Sequence, residues 1–288
     1  MRIANLSDRL VLLTATGAVD VHSASHGRFG SEPTAIYARW DEFRQWAADT
    51  VLPEGNGYAD EDLGPPVPEP AQIFAIGLNY REHAVESGLA FPAEPPVFTK
   101  FRAALSGPYA PLALPTDTVD WEAELVAVIG RSARCVAAAQ AWQHVAGLTI
   151  GQDFSERTLQ LVGPAPQFSL GKSFPGFAPI GPAVVTLDEL DDPADLGISC
   201  SVNGEQVQKS RTGDLIFSIP VLIERLSAVL TLMPGDLIFT GTPAGVGGGR
   251  NPQWFLRSGD DVVTRIEGLG ELRQRCVPGI THTTMSAS

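Results

Sequence analysis

The segment DWEAELVAVIG, Asp120 to Gly130, constrains this chain more than any other. In a strand, alternate residues share a face, so Glu122 and Glu124 point the same way and Val126 and Val128 continue that face. Trp121, Ala123, Leu125, Ala127 and Ile129 form the other face. Beyond the carboxylates both faces are apolar, which predicts a strand covered on both sides. Two like charges at the start of such a strand repel and lose solvation. They need protons, bases or a cation, unless they sit at a solvated strand end paired with lysines.

A partner for them stands in GQDFSERTLQ, Gly151 to Gln160, where Asp153 follows the apolar GLTI of residues 147–150. If these two stretches are neighbouring strands, Asp153 reaches both glutamates. Three carboxylates completed by water form an oxygen-only site, suited to Mg²⁺, Mn²⁺ or Ca²⁺ and not to zinc. Taken alone, Asp153 reads equally as a turn residue or a helix N-cap.

Three further segments carry chemistry. In NYREHAVESG, Asn79 to Gly88, Asn79 is placed to cap a short helix and Gly88 to end it. His83 and Glu86 then share one helical face, as a water-activating pair or as a surface ion pair. In LGKSFPGFAPIGP, Leu170 to Pro182, Lys172 stands among Gly, Pro and Phe, placed to hold a carboxylate or enolate or to face solvent. In LIFTGTPAGVGGG, Leu237 to Gly249, a strand runs into a glycine-rich turn bearing Thr240 and Thr242, a carboxylate site or a tight structural turn. Two nucleotide motifs fail. LGKS lacks the leading glycine, because position 166 is Pro166, and GVGGGR has Arg250 at its third glycine position.

The wider chain sets the frame. Its 288 residues are 44% apolar and 18% charged, enough for a sizeable core. The 20 basic and 33 acidic residues give a net charge of −13, which argues against nucleic acid and anionic membranes as partners. Cys135, Cys200 and Cys276 are far apart and odd in number, which favours a reducing, cytoplasmic setting. No signal peptide or membrane span is read. Residues 1–70 read as a small N-terminal α/β domain with a strand at Arg9–Leu13, a helix at Thr34–Ala48 and a Pro-rich connector from Gly57. Residues 71–288 read as the catalytic domain. Its expected strands are Ile73–Ile76, Leu125–Ile129, Ala183–Leu187, Gly197–Val202, Leu237–Thr240 and Asp261–Glu267. Helices are expected at Val136–Val145 and Pro220–Leu230, hairpins at Val202–Glu205 and Glu267–Leu272, and a frayed tail at THTTMSAS. The class is α+β, rich in strand.

The ordered series AIGLNYREHA, DWEAELVAVIG, HVAGLTIGQDFSER, GKSFPGFAPIGP, MPGDLIFTGTPAGVG and IEGLGEL resembles the fumarylacetoacetate hydrolase family, from about Ile73 to Val277. The resemblance implies a mixed β-roll or sandwich core, a homodimer and a divalent cation, Mg²⁺ with Mn²⁺ or Ca²⁺ as substitutes. It implies metal carboxylates at Glu122, Glu124 and Asp153. The water-activating pair falls on His83 and Glu86, on a segment that closes as a lid in relatives. Lys172 is implied as the catalytic lysine, Gln160 as an orienter of water, and Tyr80, Arg157 and Thr242 as substrate contacts. Many relatives read N-D-x-S-A-R where this chain has GQDFSER, so Gln152 and Glu156 depart from the pattern. The implied activity is hydrolysis of a C–C bond in a 1,3-dioxo acid of acylpyruvate or fumarylacetoacetate type. The alternative is decarboxylation or isomerisation of a 2-oxo dicarboxylic acid, of oxaloacetate or 2-oxohept-3-ene-1,7-dioate type, at the same site. The complete residue set argues against a non-catalytic binding module.

Overall fold

A computed structural model describes residues 1–86, 88 and 90–279. The expected tail at THTTMSAS lies outside the described residues. The chain folds as a strand-rich α+β structure whose two main sheets pack face to face. The strands used below are β1 (Arg2–Leu6), β2 (Arg9–Thr14), β3 (Gly17–Asp20), β4 (Ile73–Ile76), β5 (Val97–Thr99), β6 (Leu112–Leu114) and β7 (Ala123–Ile129). They continue with β8 (Val145–Gln152), β9 (Ala178–Val185), β10 (Gly197–Val202), β11 (Glu205–Arg211), β12 (Leu237–Phe239), β13 (Asp261–Ile266) and β14 (Gly270–Pro278). The large sheet runs β3-β2-β1-β9-β8-β7-β12-β4-β5, and the second runs β11-β10-β13-β14-β6.

Every residue of β7 and β8 is buried, as the apolar faces of Asp120–Gly130 require. The two strands are antiparallel, with Ala123 opposite Gln152 and Glu124 opposite Gly151. The Val202–Glu205 hairpin forms as expected, with Asn203 and Gly204 both at positive φ (53° and 82°), the conformation a two-residue hairpin turn demands.

The N-terminal strands are not a detached unit. β1 pairs with β9 through Arg2↔Val185 and Ile3↔Val184, extending the large sheet. Ile3, Leu10, Phe43 and Trp46 belong to the same apolar core as Leu125 and Leu148. The boundary near residue 70 is therefore a Pro-rich crossing and not a break in the core.

The helices are α1 (Val21–Ala24), α2 (Trp40–Asp49), α3 (Arg81–Glu86), α4 (Arg157–Gln160), α5 (Phe168–Gly171) and α6 (Ile219–Val229). Two expectations needed correction. The stretch from Thr34 is helical only from Tyr37, first as a 3₁₀ turn and then as α2. Ala138–His144 winds as 3₁₀ and not α, its N-terminal flank pinned to α6 where Ala138 N–H donates to Glu224 and Val136 N–H to Ser227.

Asp20 caps α1 and binds Arg9, accepting from Ser23 N–H and Arg9 Nε at 2.8 Å each. Burial opposes its charge, but those two donors prevail and hold the carboxyl down at about 2. A depressed carboxyl stabilises the fold above its unfolded value of 3.8, and the gain is lost as pH falls towards about 2. Asp20→Ala is expected to lower stability by about 1 kcal/mol at neutral pH and by clearly less at pH about 2, where half of the folded carboxyls are protonated. Urea midpoints of both proteins at the two pH values test this.

Candidate active site

The register of β7 and β8 assembles the acidic group. Asp153 N–H donates to the Glu122 carbonyl at 2.9 Å, so Asp153 leaves β8 beside the start of β7. Glu122, Glu124 and Asp153 each offer an oxygen within 4.8 Å of the others, and all three are buried. The neighbouring-strand expectation for Asp153 therefore holds. The N-cap of α4 is instead Glu156, which accepts from Thr158 and Leu159 N–H.

Lys172 closes the group from α5. Its Nζ donates to Glu122 Oε2 and Asp153 Oδ2, both at 2.7 Å. Gly171 permits this approach, because a Cβ there would stand 2.6 Å from the Gln160 backbone nitrogen. Burial disfavours the ammonium, yet Asp153 and Glu122 raise its pKa. Arg157 adds a second cation, donating to Asp120 (2.8 Å), Glu122 (2.7 Å) and the Gln160 side-chain Oε1 (2.9 Å). Burial also works against the Glu122 charge, but Lys172 and Arg157 hold its carboxyl down at about 2.

Glu124 differs from its neighbours. It forms no ion pair among the described residues and accepts one hydrogen bond, from Gly241 N–H at 2.8 Å. Burial, then the charges of Asp153 and Glu122, push its carboxyl well up. An all-oxygen group with one uncompensated carboxylate fits a hard divalent cation.

On the far side, His83 and Glu86 form the expected pair on α3, with Nδ1 to Oε2 at 3.2 Å. Gly245 N–H donates to both Glu86 oxygens at 3.1 Å. Burial opposes its ionisation, but His83 and the Gly245 N–H lower the Glu86 pKa. The expected cap fails: the Asn79 side chain donates to the Phe217 and Thr240 carbonyls and accepts from Phe217 N–H. Asn79 thus ties the root of α3 to two other segments.

Glu122, Lys172, Arg157, Gln160, His83 and Glu86 line one cavity of about 440 Å³, within the range of small-molecule sites, and Glu124 and Asp153 stand behind Glu122. These six residues make up most of its polar lining. Ile76, Leu78, Phe98, Leu161 and Phe168 give it apolar surface, with Lys172 Nζ 5.2 Å from the Phe98 ring centroid. Thr242 lines a side wall with its hydroxyl committed, donating to the Ala123 carbonyl and accepting from Gln208. Tyr80, expected at the substrate, is not brought to the wall. It is 1% exposed, and its hydroxyl has no hydrogen-bond partner among the described residues.

The two departures from the family pattern point away from the cavity. Gln152 accepts from Glu122 N–H (2.8 Å) and donates to Thr264 of the second sheet (2.8 Å). Glu156 accepts from Thr116 as well as capping α4. Gln208, from β11, likewise accepts from Ala123 N–H at 3.0 Å and donates to Thr242 at 2.8 Å.

Sequence reasoning missed Lys100. It is 1% exposed, and its Nζ bonds Asp153 Oδ1 and the Lys172 carbonyl. Its signal was a lone lysine in the apolar run PPVFTKF, a pattern shared by many solvated lysines. It also missed Asp120, which accepts from Gly247 and Gly248 N–H while holding Arg157.

This is the site of a fumarylacetoacetate hydrolase-type enzyme. The chain belongs to that family: the model "Fumarylacetoacetate (FAA) hydrolase C-terminal" matches residues 72–277. Oxaloacetate tautomerase FAHD2A, mitochondrial, of Bos taurus is 44% identical over 214 residues, covering 74% of this chain and 68% of that protein. A solved structure from Mycobacterium smegmatis is 52% identical, with a TM-score of 0.94, covering 96% of this chain and 99% of the other. Maleylpyruvate hydrolase from Sphingobium sp. SYK-6, solved with manganese(II) and pyruvate, is 29% identical with a TM-score of 0.78, covering 97% and 100%. Members of the family thus include tautomerases and hydrolases. Among the described residues no helix is long and apolar enough to cross a membrane.

Proposed function

We propose that this protein is a divalent-metal-dependent enzyme that moves a proton at the carbon beside the keto group of a short 2-oxo dicarboxylic acid. The favoured reaction interconverts the enol and keto forms of an oxaloacetate-type substrate. The observation that carries it is one cavity lined by both sets: the His83–Glu86 pair, and Glu122 with Lys172 from the acidic group. The likeness to an oxaloacetate tautomerase supports the substrate class.

Glu122, Glu124 and Asp153 would hold the cation, with Mg²⁺ the first choice and Mn²⁺ or Ca²⁺ able to replace it. When bound, such an ion polarises a 2-oxo carboxylate and stabilises enolate charge. Glu86 accepts the proton from the carbon, and His83 keeps its carboxylate aimed through Nδ1. Lys172 presents N–H groups where negative charge collects on the substrate oxygen. Arg157 keeps Glu122 ionised and leaves the Gln160 amide NH₂ for substrate or water.

That last group supports a second reading, hydrolysis of a C–C bond in a 1,3-dioxo acid. There Glu86 would take a proton from water oriented by Gln160. We expect the enzyme to work as a homodimer in a reducing aqueous compartment, in keeping with three free cysteines.

Ultraviolet decay of enol-oxaloacetate with Mg²⁺, and again with EDTA, tests the first reading. Metal-dependent acceleration is expected, and Glu86→Gln should lower kcat by about 10²–10⁴. Decay at the buffer rate, with cleavage of acetylpyruvate to pyruvate and acetate, would replace it by the second. Inertness towards both would overturn the assignment.

A further inference from the structure

Glu86 does not hold its own position. It sits on α3, a helix of six residues, too short to be rigid alone. Its carboxylate is anchored by Gly245 N–H, which reaches both oxygens at 3.1 Å. The Gly245 carbonyl is in turn held twice, by Trp121 Nε1 at 3.1 Å and by an Arg250 guanidinium N–H at 3.3 Å. No side chain can replace this glycine: its φ is +108°, and a Cβ would stand 2.0 Å from the Val207 carbonyl oxygen.

Arg250 is unusual. It forms no ion pair among the described residues. It lies against two aromatic faces instead, 5.3 Å from the Trp254 centroid and 5.8 Å from that of Trp121. Its guanidinium also donates to the Val207 carbonyl at 3.2 Å, and its Nε is buried without a partner. The glycine-rich turn has other supports as well, since Asp120 binds Gly247 and Gly248 N–H and Trp254 N–H donates to the Gly247 carbonyl. Among the described residues this cation rests on aromatic faces and carbonyls and not on a carboxylate, close to the acid-base pair.

We infer that Arg250, with Trp121, is a positioning residue that fixes Glu86 through Gly245. Trp121 precedes Glu122 in the chain, so one indole joins the carboxylate side of the cavity to its acid-base side. The consequence for kinetics rests on the proposed role of Glu86 as proton acceptor; the mechanical linkage does not.

The two are tested separately. Hydrogen exchange at the Gly245 amide reads the linkage. In Arg250→Gln it is expected to rise about 10-fold or more, with Gly247 unchanged. In Arg250→Lys, which keeps charge but loses the fork, it should rise nearly as much. Unchanged Gly245 exchange in both variants would overturn the proposal. Kinetics read the consequence: Arg250→Gln should lower kcat about 10- to 100-fold with KM within about two-fold. In a Glu86→Gln background the same change should add less than about two-fold. Losses that multiply would also overturn it, since Arg250 would then act independently of Glu86. If Glu86→Gln keeps full turnover while Gly245 exchange rises in the Arg250 variants, the linkage stands and the proton-acceptor reading falls.

Discussion

Glu124→Gln is expected to raise the melting temperature of the metal-free protein and to abolish the further rise that Mg²⁺ or Mn²⁺ gives. Glu124 is buried, unpaired by any cationic side chain among the described residues and crowded by Asp153 and Glu122. Glutamine keeps an oxygen for Gly241 N–H and removes the charge. Relief of that repulsion should stabilise the apo fold by about 1–2 kcal/mol, roughly 2–8 °C. The same change takes away a ligand, so turnover should fall by about 10²–10³. Thermal melts with EDTA and with saturating cation, beside calorimetric titration of Mn²⁺, measure both halves. A variant that melts lower than the parent in EDTA, or binds Mn²⁺ equally well, would contradict the metal assignment of this carboxylate.

Lys100→Met should have the opposite sign and a larger effect on stability. Lys100 is fully enclosed and bonds both Asp153 and the Lys172 carbonyl. Burial presses its pKa down, and Asp153 works against that. Its removal leaves Lys172 alone to balance Asp153 and leaves Asp153 Oδ1 and the Lys172 carbonyl buried without their donor, at a cost of about 3–5 kcal/mol. The melting temperature should drop roughly 6–20 °C. Added divalent cation should recover part of the loss by neutralising Asp153, and little of it in a Lys100→Met, Glu124→Gln double variant. A melting temperature within about 1 °C of the parent would show that Lys100 does not support the centre.

The contrast between these residues explains how much could be read in advance. Glu122, Glu124 and Asp153 were legible because period-two alternation and one strand pairing suffice to join them. His83 and Glu86 were legible because helical spacing puts positions i and i+3 side by side. Lys100 was not, because its burial depends on α5 and β8 arriving from elsewhere in the chain. Asn79 matched a local capping rule, but Phe217 and Thr240 compete for its amide, and the longer-range bonds prevail. The helix expected over Val136–Val145 lost to α6 in the same way, with 3₁₀ geometry as the outcome. Tyr80 was placed by resemblance alone, and its ring is packed inside rather than at the wall. Local rules located the chemistry; tertiary bonds decided which supports surround it.

The two buried glutamines carry a lesson for anyone recombining relatives of this family. Gln152 fastens the Glu122 amide to Thr264, and Gln208 fastens the Ala123 amide to Thr242. Each is a rivet between neighbouring residues of the metal strand and a distant part of the chain. A chimera with a crossover between residues 152 and 200 would mate rivets with foreign holes, and its expected defect is a folded protein with a misaligned centre. Parents that share both glutamines and both threonines should exchange segments freely.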